Sequence, residues 1–214
     1  MVRRTKEEAT ATRELLLDTA EQIFLQQGVA RSSLHQIAAA AGLTRGAIYW
    51  HFKDKADLFS AMMDRVILPC EQAACGAGEA PGSDALAELR ALARMPLQSL
   101  RDDERTRRVF RIAIHQTEYS DELAPVRERH QQSVAGYIGT MEVLLRRAQA
   151  AGQVAPGIDA HAAALGLFAL IDGLLGHATL TDDALPVLDA GDVAIDIYLA
   201  GLRAGQAAGC VATP

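Results

Sequence analysis

Apolar residues recur at intervals of three and four along most of the chain, and Gly, Pro or acidic breaks cut the pattern into nine stretches. That period is helical, and no run of strict alternation suggests a strand. The first stretch, residues 10–27, carries Leu16, Ala20, Ile23 and Phe24 on one stripe. Residues 34–41 place Leu34, Ile37, Ala38 and Ala41 together, and a third helix after Thr44 points Ile48 and Phe52 inward. Asp54 starts a fourth, with Leu58, Phe59, Met62 and Val66 buried and Pro69 kinking or ending its first section. The next stretches are 85–100, which contains Pro96, and 103–117, apolar nearly all round and so expected to be central and buried. A seventh helix begins near Pro125 and runs through Val134, Tyr137, Ile138, Met141, Leu144, Leu145 and Ala148. The last two are 159–178 and 190–205, followed by a tail at 207–214 expected to be disordered.

The second and third helices meet in a tight turn. Ser33-x-x-Gln36 has the form of a capping box, Gly42 is a natural helix stop, and Thr44 is a natural helix start. Two short helices joined by a Gly-containing turn form a helix-turn-helix, here residues 33–52, and its second helix is the one that enters the DNA major groove. The first helix would pack across both and complete a three-helix core.

Charge supports this reading. Residues 1–55 hold eight Lys/Arg and six Asp/Glu, a net of +2; the remainder hold thirteen and twenty-one, a net of −8. A mildly basic head on an acidic body suits contact with DNA at one end. The boundary is drawn at 1–55 for the DNA-binding head and 56–206 for a ligand-binding and dimerisation body. Cys70, Cys75 and Cys210 form no disulfide framework, which fits a reduced cytoplasm. No metal-ligand spacing recurs among the histidines, no cofactor fingerprint is present, and nucleotide-binding and hydrolase motifs are missing, so neither a metal, a cofactor nor an enzyme is expected. The longest apolar run ends at Asp172, too short to span a bilayer.

The body should hold an apolar cavity lined from Met95, Phe110, Ile114, Tyr137, Met141 and Phe168, although each also fits plain core packing. His115 and Asp172 stand among apolar neighbours and need polar partners, either a ligand or a core hydrogen bond. The eighth helix is apolar around most of its circumference, so a second subunit should cover it, with Gly166, Gly173 and Gly176 allowing close approach. A homodimer through 159–178 and 190–205 follows.

The string Leu34-His-Gln-Ile-Ala-Ala-Ala-Ala-Gly-Leu-Thr-Arg-Gly-Ala-Ile-Tyr-Trp-His-Phe-Lys-Asp-Lys-Ala-Asp-Leu-Phe59 resembles the DNA-binding head of the TetR family of bacterial repressors. Residues 4–13 and 44–57 are most similar to its AcrR-type branch, whose members repress multidrug efflux operons and release DNA when a toxic compound binds. The resemblance implies an all-α fold, a dimer on a palindromic double-stranded operator, and a small-molecule inducer. It implies DNA contacts from Ser33, Thr44, Arg45, Gly46, Tyr49 and His51, from Lys55 to phosphate, and from Arg4 in a basic N-terminal arm. Arg45 has the fork that pairs with a guanine edge, and Tyr49 and His51 have the reach of a phosphate. Trp50 is open between packing on the first helix and lying along the DNA backbone. His115 and Asp172 match positions used for ligand contact in that branch. A regulator sensing a fatty acyl thioester, or oxidation at Cys70 and Cys75, is the alternative.

Overall fold

The structure is a computed structural model that describes residues 6–76, 84–118, 121–181 and 184–204, with the side chains of 67–76 left aside. Among them every regular element is helical: α1 (Lys6–Gln27), α2 (Leu34–Ala40), α3 (Arg45–His51), α4 (Lys55–Gly76), α5 (Ala85–Asp102), α6 (Glu104–His115), a 3-10 turn η1 (Asp121–Leu123), α7 (Ala124–Ala150), α8 (Ala160–Leu180) and α9 (Leu185–Ala204). Arg4, Cys210 and the expected tail lie outside the described residues, as do the side chains of Cys70 and Cys75.

Contacts divide the chain into two compact units, 1–67 with 105–130, and 68–104 with 131–214. This division differs from the one drawn at residue 55. The start of α4, all but the first residue of α6, and η1 pack with the DNA-binding motif, because their apolar residues share its core. That core joins Leu16, Leu17, Ala20 and Phe24 of α1 to Ile37, Ile48, Phe52, Leu58, Phe59 and Met62, and takes in Val109, Ile112 and Leu123.

Both ends of α2 are tied down as the sequence suggests. The Ser33 hydroxyl accepts from the Gln36 N–H at 3.2 Å, and the Gln36 side-chain oxygen accepts from the Ser33 N–H at 2.9 Å. Gly42 takes φ +69°, and the Leu43 and Gly42 amides return to the Ala38 and Ala39 carbonyls at 2.8 and 3.0 Å. This is the Schellman closure that a left-handed residue permits. A seven-residue helix is too short to persist on its own, so these caps and the buried Ile37 hold it.

Several expectations are corrected. α1 is already helical at Lys6, the first described residue, rather than from residue 10, α9 starts at Leu185, and α4 continues through Pro69 to Gly76. Pro186 stands second in α9, where its missing N–H costs nothing. α6 is two-faced rather than buried all round: Val109 and Ile112 are buried, whereas Ile114 is 40% exposed. Its charged residues supply an outer face, with Arg105 2.9 Å from Asp18. α1 also buries a residue that the apolar stripe does not predict. Glu21 is 2% exposed and meets Arg65 at 2.8 Å, with Arg105 and Arg108 each at 3.6 Å.

In the second unit α5, α8 and α9 pack on one another. Arg90, Arg94 and Arg101 of α5 reach Asp196, Asp192 and Asp189 of α9 at 2.6, 3.3 and 2.9 Å. α8 is long and apolar enough to cross a membrane by length and composition. Here Leu167, Ile171 and Leu175 face the bundle and are buried, while Leu165 and Leu180 on its other side are exposed. Gly166 already has a close neighbour within the chain. A Cβ there would lie 2.6 Å from the hydroxyl of Tyr198, which donates to the Ala163 carbonyl at 2.8 Å within the chain. Gly173 and Gly176 have open space.

Candidate nucleic-acid interface

α3 is one helix with two jobs on two faces. Ile48 is fully buried and Phe52, its C-cap, is 1% exposed. The intervening positions therefore turn outward: Tyr49 is 48% and Trp50 73% exposed. Thr44 caps the helix, its hydroxyl accepting from the Ala47 N–H at 3.3 Å. Arg45 is exposed, and its guanidinium lies over the Tyr49 ring at 5.6 Å. At that distance the ring face attracts the cation and restrains an otherwise exposed side chain. Gly46 is exposed, and a Cβ there would meet nothing nearer than the Thr44 hydroxyl at 4.0 Å. Packing within the chain therefore does not require glycine at 46.

Trp50 lies edge-on to His51, with ring centroids 4.6 Å apart, and the His51 ring stands 6.2 Å from Phe52. The indole is thus not packed on α1. The place on α1 that faces this end is taken by Arg13, whose guanidinium covers the Phe52 ring at 5.2 Å. The buried pair Ile48 and Phe52 was the signal in the sequence that set position 50 outward. The indole is thus a large apolar surface left in contact with solvent at this end of α3.

A cleft of about 440 Å³ runs beside α3, and its lining includes Ser33, His35, Arg45, Tyr49, Lys53 and Lys55 together with the carboxylates Asp54 and Glu122. The sequence-predicted Ser33, Arg45, Tyr49 and Lys55 are brought together here, joined by His35 and Lys53, which the motif alone did not single out. Ser33 uses its hydroxyl as the α2 cap. Lys55, expected to reach phosphate from the surface of α4, is 6% exposed and turned inward. Its ammonium donates to the Ser32 carbonyl at 3.1 Å and pairs with Glu122 at 2.8 Å. The turn between α1 and α2 offers the Ser32 carbonyl to the first turn of α4, and a lysine there has a nearer partner than solvent.

The residues expected to line a ligand cavity divide between the two units. Phe110 is half-buried against the first core, Ile114 is partly exposed and His115 is half-buried. In the second unit Tyr137 and Phe168 meet as rings 6.4 Å apart at 69°, Met141 is fully buried and Met95 half-buried. Asp172 is exposed in the single chain and has no need of the buried partner that its apolar surroundings in sequence suggested. Among the described residues no group of three or more His, Cys, Asp or Glu could hold a metal ion.

Comparison with known proteins agrees with this geometry. Residues 16–62 match the family described as bacterial regulatory proteins, tetR family, and residues 87–203 match the C-terminal region of BetI-type transcriptional repressors. The HTH-type transcriptional regulator TtgR of Pseudomonas putida is 37% identical over 207 residues, 97% of this chain and 99% of the relative. Among solved structures, NalD, the secondary repressor of the MexAB-OprM multidrug efflux pump in Pseudomonas aeruginosa, is 36% identical, with a TM-score of 0.78 over 94% of this chain and 98% of its own. A complex of SmeT with triclosan is 35% identical, with the same TM-score over 95% of this chain and 98% of its own. SmeT is the repressor of the Stenotrophomonas maltophilia multidrug efflux pump SmeDEF. With matches of this length at both ends of the chain, and with a recognition helix that faces outward, the protein belongs to the TetR family of bacterial transcriptional regulators.

Proposed function

We propose that this protein is a repressor of a multidrug efflux operon, acting in the cytoplasm as a homodimer on a palindromic operator and released by a small apolar compound. The observation that carries the reading is the outward surface of α3, where Arg45, Tyr49 and Trp50 stand exposed around the bare Gly46. Relatives that repress efflux pumps match nearly the whole chain, body included, which favours drug sensing over acyl-thioester or redox sensing. Arg45 reads a base edge; Thr44, Tyr49 and His51 set register on the phosphates.

One α3 reads too few base pairs for a unique address, so two must act together. The exposed apolar residues of α8 and α9, Leu165, Leu180, Val193 and Ile197, supply a two-fold face. The inducer binds among the aromatic and methionine side chains of the second unit, with Tyr137, Phe168 and Met95 in contact. Its effect on DNA is limited to the difference in its affinity for the DNA-competent and released states.

The test is fluorescence anisotropy with the DNA upstream of the nearest efflux operon, titrated with triclosan and other apolar antimicrobials. The reading expects nanomolar binding at physiological salt and release by at least one compound. Binding indifferent to sequence, or unaffected by every compound, would refute it.

A further inference from the structure

Lys55 and Glu122 form an ion pair at the edge of the surface assigned above to DNA. The Lys55 ammonium has three acceptors: the carbonyls of Ala30 and Ser32 at 3.4 and 3.1 Å, and the Glu122 carboxylate at 2.8 Å. The two carbonyls lie in the turn between α1 and α2, and Lys55 braces that turn. Carbonyl dipoles orient an ammonium but do not neutralise it; the carboxylate does. Glu122 belongs to η1, which is held by the fully buried Leu123. At the end of α6 the Gln116 carbonyl accepts the Val29 N–H of the same turn at 2.9 Å. The segment running from α6 into α7 therefore touches the entrance of the helix-turn-helix directly, by a route separate from α4.

The Glu122 side chain is 52% exposed and, with Asp54, brings negative charge to the cleft that Ser33, Arg45 and Tyr49 also line. A carboxylate on a face that meets a polyanion repels it. A DNA phosphate offers the ammonium the same charge-assisted bond as Glu122 does. We propose that Glu122 is an internal competitor for an operator phosphate at Lys55, so that the position of η1 sets operator affinity. With the pair closed, the charge of Lys55 is spent inside the protein. With η1 withdrawn, the ammonium is available to phosphate. The inference rests on the DNA-binding reading above.

The experiment compares wild type with Glu122→Gln, which keeps shape and loses charge, in operator titrations over a range of salt. Neutralising one more phosphate steepens log K against log salt by about 0.9 per protomer, or about a threefold larger loss of affinity per protomer over a fourfold rise in salt. Glu122→Gln should bind more tightly at low salt and show the steeper slope. The gain should vanish in a Lys55→Met background, and Asp121→Asn, the neighbouring carboxylate of η1, should leave the slope unchanged. Glu122→Ala gives the same readout should the glutamine disturb η1, with thermal melting to confirm that each variant is folded. If Glu122 only fastens η1, both variants bind as wild type or more weakly with no change of slope, and the proposal fails. If wild type itself binds no operator, the DNA-binding reading fails first and the proposal with it.

Discussion

The hydroxyl of Tyr137 stands in for the amide that Pro96 lacks. A proline inside a helix leaves the carbonyl four residues earlier without its donor. In α5 that carbonyl belongs to Leu92, and Tyr137 of α7 donates to it at 2.6 Å. α5 thus remains one helix from Ala85 to Asp102 through its proline. Tyr137→Phe should therefore destabilise the protein by about 1–3 kcal/mol, the cost of an unpaired buried carbonyl. Pro96→Ala restores the amide, and in that background the loss should fall below about 1 kcal/mol. Urea unfolding of the four proteins of the cycle would check this, and equal losses in both backgrounds would show that the hydroxyl acts elsewhere.

Gly46→Ala should separate stability from function. A Cβ at 46 has open space within the chain, and alanine favours a helix over glycine by up to about 1 kcal/mol. The variant should melt no lower than wild type, and higher if the full propensity is realised. Operator binding should weaken at least about tenfold if the bare position is where DNA comes closest, since one lost close contact of about 1.4 kcal/mol is a factor of ten. Tighter or unchanged binding would show that α3 sits farther from the groove.

Glu21 makes stability depend on pH. Burial pushes its carboxyl above the usual glutamate range, against the pull of Arg105, Arg65 and Arg108. A folded pKa above the unfolded one means that the native state binds the proton more tightly. The stabilisation is complete below the unfolded pKa of about 4.5 and is lost as pH rises through the raised folded value. Glu21→Gln cannot titrate, so its stability curve should lack this decline. Melting temperatures of both proteins from pH 4 to 8 give the comparison, and parallel curves would contradict the assignment.

Ile197 and Val193 are 68% and 59% exposed in the single chain. Ile197→Asp should leave the protomer folded and cooperative but shift it from dimer to monomer in sedimentation. Operator binding should be lost at concentrations that saturate wild type, because only the pair spans two half-sites. A variant that remains dimeric would place the interface on another face.

The helix-turn-helix was legible residue by residue because its signals are local: a cap, a glycine and two buried side chains one turn apart. Ser33, Gln36, Gly42, Thr44, Ile48 and Phe52 all occupy the places that these rules assign. What escaped the sequence depends on partners far along the chain. Glu21 reads as one more polar residue of a surface helix until Arg65, forty-four positions later, is brought against it. Lys55 looks like a surface cation until the α1–α2 turn and Glu122 close round it. Tyr137 looks like an aromatic lining until Pro96 is seen to orphan a carbonyl. A periodic pattern separates inside from outside, but it cannot say which charges meet.

The division of α3 into a buried pair and an exposed remainder has an evolutionary consequence. Ile48, Phe52 and the Thr44 cap fix the helix in its frame. Arg45, Gly46, Tyr49 and Trp50 take little part in that frame, so they can change without unfolding it. If these residues read the operator as proposed, exchanging the four of them re-addresses the protein to a new promoter, while the machinery behind them is inherited whole.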